Sequence, residues 1–274
     1  MKRDTPAAGA ASNRLELVGL RSLPEVRKGD DLARLIAEAG RREGYTVRDG
    51  DVVVVAQKVV SKAEGRIVRL SSVKPSALAQ GWARAAREAA PHGAAMKFDP
   101  RLIEVVLQES KRIVRMSERA LIAETHHGFV CANAGVDQSN VRGKDSVACL
   151  PRDPDASAER IGRGLKKVSG SRVAVVISDT FGRPWRLGLT NVAIGAAAFA
   201  VLEDLRGKRD ATGKTLHATI LAVADELAGA AGLLMKKSAQ VPVVIIRGAH
   251  LGRGRNTERG AKRLIRPAHE DMFR

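Results

Sequence analysis

Three stretches of the chain are apolar almost without interruption: VVVVA at 52–56, VAVVI at 173–177 and VPVVII at 241–246. Short apolar runs with no polar alternation predict strands buried on both faces. LELVGL at 15–20 reads as a further short strand. Between the strands the apolar spacing changes to that of a helix face. LARLIAEAG follows Asp30-Asp31, either of which can cap it, and its helix is predicted to end at Gly40. PSALAQGWARAAREAA (75–90) and RLIEVVLQES, after Asp99-Pro100, read as two more helices. DPDASAERIGRGLKKVSG reads as a helix capped by Asp155 or Ser157. NVAIGAAAFAVLEDL, rich in Ala, also reads as a helix. TLHATILAVADELAGAAGLLMKK reads as a strand then a helix, and KRIVRMSERALIAETHHGFVCANAGVDQSN as strands and turns.

The prediction is therefore a mixed α/β (α+β) fold of buried strands with flanking helices. Residues 1–14 are expected to form a flexible tail, 15–250 the main α/β domain, and 251–274 a basic C-terminal tail.

Composition changes this picture in three ways. The net charge is +17, which draws anionic partners, whether nucleic acid or small phosphorylated substrates. Aromatic residues make up only 3%, which argues against base stacking on single strands. Two cysteines, Cys131 and Cys149, lack metal-ligand spacing and suit a reducing cytoplasm. No secretory leader is expected, and no apolar run reaches the ~18 residues of a membrane span.

Candidate chemistry gathers at the strand ends. VVISDTFGRPWRLGLTN runs from a buried strand into Asp179 and Thr180, with Arg183 and Arg186 beyond. In open α/β sheets ligands sit past the carboxyl ends of strands. A carboxylate and hydroxyl there suit a hard divalent cation, and forked guanidinium groups suit phosphate or carboxylate. Asp137 in GVDQSN reads either as an Asx-turn or as a second oxygen ligand for Mg²⁺ or Mn²⁺. Gln57, Lys58, Ser61 and Lys62 follow the first apolar strand, either as phosphate-binding groups or as a solvated strand end. GKRDATGKT (207–215) imitates a phosphate-binding loop with one residue too many between its glycines. It follows no strand and reads as a turn on Asp210 and Gly213. Adjacent His126 and His127 would face opposite sides of a strand and read as structural. Asp225 and Glu226 suit the first turn of a helix, with a metal-oxygen role second.

LRSLPEV, GDVVVVAQKVVSKAEGR, ETHHGFVCANAGVDQSNV, VVISDTFGRPWRLGLTNVAIG, VADELAGAAGLLM and VPVVIIRG occur in the order and near the spacing of one family. Together they resemble the coenzyme F420-0:γ-glutamyl ligases, over about residues 15–250. The resemblance implies a family-specific fold of two intertwined subdomains, seen as a homodimer. It implies GTP-dependent joining of L-glutamate to the carboxylate of F420-0 through an acyl phosphate, with further γ-linked glutamates. It implies Mg²⁺ or Mn²⁺, with K⁺ helping. Asp137, Asp179 and Thr180 match metal-binding positions. Leu23, Pro24, Glu25, Val26, Gln57, Lys62 and Asn140 match GTP-binding positions, as does the segment of Met235, Lys237 and Ser238. Arg183 and Arg186 then join the two Asp residues as candidate catalytic groups. Two departures stand out: Gln57, where Ser or Thr is usual, and KKSAQ after Met235, where a Gly is usual. The remaining rivals are a ligase of the same fold acting on another acid or nucleotide, and a basic nucleic-acid-binding protein.

Overall fold

The computed structural model describes residues 14–89, 99–117, 121–139, 143, 145–252 and 260–272. Its centre is a five-stranded sheet of β1 (Glu16–Leu20), β2 (Val52–Ala56), β8 (Ala174–Arg183), β9 (Arg186–Ala197) and β12 (Val243–Arg247), in the order β1-β12-β2-β8-β9. β2 and β8 run parallel, and the other neighbours are antiparallel.

Helices cover both faces. Val53, Val55, Val175 and Ile177 pack with Ile36 of α1 (Leu32–Arg42) and Leu165 of α5 (Pro154–Ser169). Val52, Val54 and Val176 face the other way, onto Ala224, Leu227 and Ala231 of α6 (Val223–Met235). Successive side chains of a strand point to opposite faces. This sandwich therefore explains why the central strands carry no polar alternation.

A second body is inserted between α2 (Gln57–Ala63) and α5. It holds β3 (Ile67–Arg69), α3 (Ala77–Ala89), α4 (Pro100–Gln108), β4 (Ser110–Met116), β5 (Leu121–Thr125), β6 (Val130–Ala132) and β7 (Ser146–Ala148). β4-β5-β6 form a three-stranded sheet, and β3 pairs with β7. Its own core gathers Leu70, Val105, Val106, Leu121, Val136 and Val147. The mixed α/β class stands as the sequence predicts.

Four local expectations change. NVAIGAAAFAVLEDL supplies most of β9, not a helix, because its small residues serve packing. A Cβ on Gly195 would lie 2.4 Å from the carbonyl oxygen of Pro154, so α5 presses directly on the strand there. Helix α1 runs past Gly40 to Arg42, where Gly40 makes room for the Tyr45 carbonyl. Asp153, not Asp155 or Ser157, caps α5 by accepting the Ala156 N–H. Asp155 instead accepts from the backbone N–H groups of Ala196 and Ala261. It thereby ties down the C-terminal segment, where Ala261 is buried. Finally, β8 does not stop at Asp179-Thr180. It continues to Arg183 as one arm of a hairpin, with Asp179 opposite Val192 and Thr180 opposite Asn191. β2 stops at Ala56 beside Ser178, so Asp179 is the first β8 residue beyond its parallel neighbour.

The short two-stranded pair of β10 (Glu203–Asp204) and β11 (Ile220–Leu221) flanks the turn at 207–215. Asp210 accepts the backbone N–H groups of Thr212 and Lys214, as a turn residue should.

Candidate active site

A cavity of about 700 Å³ opens where β2 and β8 part. Its floor is Ala56, Ser178, Asp179 and Thr180. The loop Leu23–Val26 forms one wall, and the segment from Met235 to Pro242 another. Asp137 reaches in from the inserted body, so both bodies contribute.

Asp137 is placed by its backbone. Its N–H donates to Ala148 O at 3.0 Å, and its carbonyl accepts from Ala148 N at 2.8 Å. Its carboxylate is then held on both oxygens. Oδ1 accepts the Ser139 N–H at 2.7 Å; Oδ2 accepts the Ser139 hydroxyl and the Lys58 ammonium, both at 2.8 Å. Burial works to raise its pKa. The Lys58 ammonium and the Ser139 donors outweigh burial and hold the group below the usual carboxylate range.

Asp179 differs. Its Oδ1 accepts the Thr180 N–H at 2.8 Å. Burial pushes its pKa up to about 6, with the negative charge of Asp137 adding to the rise. The Thr180 hydroxyl donates to Asn191 Oδ1 at 3.3 Å, while Asn191 Nδ2 donates to Ser178 Oγ at 3.0 Å. Asn191 thus fixes both hydroxyls on the cavity floor.

Two carboxylates, one of them raised by the charge of the other, line the same cavity as a hydroxyl and form an oxygen-rich set that fits Mg²⁺ or Mn²⁺. Asp137, Asp179 and Thr180 would hold the ion. Among the described residues no third His, Cys, Asp or Glu joins them, so remaining ligands would come from solvent or substrate oxygens.

Helix α2 starts directly from β2. Gln57 turns inward, where its Nε2 donates to Ser61 Oγ at 2.7 Å and to the Cys149 carbonyl at 3.2 Å. Ser61 donates to the same carbonyl at 2.7 Å. Gln57 therefore ties the two bodies together at the cavity edge, a buried duty that a solvated strand end would not have. Lys62 donates to Glu25 at 2.7 Å, joining α2 to the Leu23–Val26 loop. Arg21, Lys58, Lys62, Lys236 and Lys237 line the cavity against Glu25, Asp137 and Asp179, five cations to three carboxylates.

The other expected residues lie apart. Arg183 and Arg186 sit at the hairpin turn beyond the cavity lining, and Arg183 donates to the Leu187 carbonyl at 3.3 Å. Arg186 is exposed there, next to Trp185. Ser238 is exposed outside the lining, and Asn140 lies outside the described residues. Asp225 accepts the Ala193 N–H at 2.8 Å, so it fastens α6 to β9. His126 and His127 bond the carbonyls of Gln108 and Pro151. Both cysteine thiols are pushed up to about 12 by burial and are no nucleophiles. Sequence reasoning missed Arg21, Asn191 and Gln240. Asn191 stood inside the SDTFGRPWRLGLTN stretch, and the β8–β9 hairpin is what folds it back beside Ser178.

A sequence model of the F420-0:gamma-glutamyl ligases matches residues 20–248, and those residues contain every described element that builds the cavity. The chain belongs to this family. It is similar to the coenzyme F420:L-glutamate ligase of Methanothermobacter thermautotrophicus, 45% identical over 95% of the chain and 99% of the relative. The enzymes of the same name from Methanopyrus kandleri and Methanocaldococcus jannaschii are 42% and 39% identical over 97% and 95% of the chain, and 99% and 97% of the relatives. The family resemblance therefore spans both bodies. Among the described residues no helix is long and apolar enough to cross a membrane.

Proposed function

We propose that the chain joins L-glutamate to the carboxylate of coenzyme F420-0, using GTP, and can add further γ-linked glutamates. The observation that carries this reading is the cavity at the β2–β8 parting. There two carboxylates and a hydroxyl face basic residues from three segments of a ligase-family chain.

A free carboxylate resists attack by an amine because its oxygen is a poor leaving group. In the reading proposed here, an F420-0 carboxylate oxygen bonds to the γ-phosphorus of GTP as the bond to GDP breaks. The amine of glutamate, after losing a proton, then attacks the acyl carbon. The amide forms and inorganic phosphate leaves. Bound Mg²⁺ or Mn²⁺ supplies charge neutralisation at the phosphate oxygens. The protein's part is alignment. Lys62, Lys236 and Lys237 place the polyphosphate, and the Leu23–Val26 wall holds the nucleotide. Asn191 keeps Thr180 and Ser178 oriented. No covalent nucleophile is needed, consistent with the two buried, unreactive thiols. Arg183 and Arg186 would act only if the hairpin turn meets the substrate or a second copy of a homodimer. K⁺ would assist as a further counter-ion to phosphate.

The test is mass spectrometry of purified protein with F420-0, L-glutamate and Mg²⁺ plus Mn²⁺, with GTP and ATP in parallel. Glutamylated F420 with GTP alone supports the full reading. Product with ATP as well points to relaxed nucleotide choice around Gln57 and the Lys236–Gln240 segment. No product with either moves the ligase to another acid substrate.

A further inference from the structure

Lys58 occupies the first turn of α2, with its side chain only 18% exposed. A lysine ammonium has three donors. Here they reach Asp137 Oδ2 at 2.8 Å, the Ser139 carbonyl at 2.7 Å and Ser139 Oγ at 2.7 Å. Ser139 itself clasps the same carboxylate through its N–H and its hydroxyl. Ammonium, serine and carboxylate form a closed unit, and in this structure the cation that Asp137 holds is Lys58. Among the described residues Asp179 has no such ammonium partner. Its only hydrogen bond among the described residues is the Thr180 N–H on Oδ1.

The two carboxylates of one pocket are thus unequal. One is neutralised from within the chain, and the other is left to the cavity. We infer that Lys58 is a built-in competitor for the divalent cation, which occupies Asp137 and sets the metal affinity of the pocket. This rests on the metal reading of the site given above. A divalent ion held by Asp137 and Asp179 would have to draw Asp137 away from the ammonium, or bind beside a like charge. Either route weakens binding of the metal alone. An incoming polyphosphate reverses the balance, because it offers the released ammonium a new anionic partner. Metal and nucleotide would then bind with positive coupling, and each would raise the affinity of the other by the same factor. Lys58 lies inside the pocket lining, so the exchange needs only a side-chain movement.

The experiment is Mn²⁺ binding to the full-length chain without nucleotide, read by electron paramagnetic resonance of free Mn²⁺. Wild type, Lys58→Met, Lys58→Gln and Lys58→Arg are compared, with circular dichroism to establish folding. Met keeps the stem and removes the charge; Gln also keeps a donor. The inference expects Met and Gln to bind Mn²⁺ at least tenfold more tightly than wild type, and Arg to match wild type. Asp137→Asn added to Lys58→Met should abolish the gain. Unchanged or weaker Mn²⁺ binding in the folded Met and Gln variants overturns the inference, as does absence of binding in every variant. The ligase reading fails separately. Wild type that glutamylates F420-0 while the variants bind Mn²⁺ no tighter sinks only the Lys58 role. Tighter binding by the variants with no ligation by wild type sinks only the proposed reaction.

Discussion

Asp179 carries a conflict between stability and use. Its folded pKa is about 6, raised chiefly by burial, against an unfolded value near ~3.9. A raised carboxylate binds its proton more tightly in the folded state. Its contribution to stability is therefore fully present below ~3.9 and is lost as pH rises through about 6. Above that range the ionised group costs the metal-free fold up to about 3 kcal/mol, since each pKa unit is worth ~1.4 kcal/mol. Asp179→Asn keeps an acceptor for the Thr180 N–H and removes the charge. In chelator at pH 7.5 the variant should melt several degrees above wild type, and the gap should close towards pH 4. Ligase turnover should fall roughly 10²–10³-fold, the scale of losing a metal's charge stabilisation. Equal melting at both pH values would refute the buried-charge account. Near-wild-type turnover in saturating metal would refute the metal role.

At the level of elements, the sequence spoke most clearly where one physical demand acted alone. Val52–Val55 had to be buried on two faces, and nothing else competes for that pattern. The helix starts after Asp30-Asp31 and Asp99-Pro100 were legible too, and the structure picks Asp31 of the first pair and Asp99 as the capping side chains. The failures came where tertiary packing overrode local preference. Ala193, Ala196 and Ala197 in β9 look helical by propensity, yet their smallness serves the close approach of α5 and α6. Gly195→Ala tests this directly. A Cβ placed 2.4 Å from the Pro154 carbonyl must push α5 off the sheet. Overpacking of this kind costs about 1–3 kcal/mol, which thermal unfolding would register as a drop of several degrees. A variant as stable as wild type would mean that α5 can shift freely. The site follows the same division. Asp179 and Thr180 were visible as polar residues closing an apolar run, and Asp137 as an Asx-turn or oxygen ligand in GVDQSN, whose turn bond to the Ser139 N–H the structure shows. The ion pair of Lys58 with Asp137 was not, since 79 residues and a whole inserted body separate the partners.

Over the whole molecule the charge is +17, and two readings of that excess lead to different behaviour. If it serves nucleic acid, the working surface is outside, and affinity for duplex should fall linearly in log–log terms as salt rises. If it serves the cavity, the excess steers small anions towards the five basic residues that line it. Steering acts over distances comparable to the Debye length, ~10 Å at 0.1 M salt and ~3 Å at 1 M. Contacts made inside a cavity are screened far less than the approach to it. For the ligase, raising KCl from roughly 50 to 500 mM should therefore lower kcat/KM for GTP by about tenfold, while kcat at saturating GTP stays within a factor of about two. Substituting choline chloride separates screening from any specific help by K⁺. A parallel fall in kcat would show that salt disrupts the bound complex itself. Tight, salt-sensitive duplex binding with kcat/KM for GTP unmoved would assign the charge to the outer surface instead. The cavity predicts the first pattern because its cations come from three separate segments, around Arg21, Lys58–Lys62 and Lys236–Lys237, that meet only where β2 and β8 diverge.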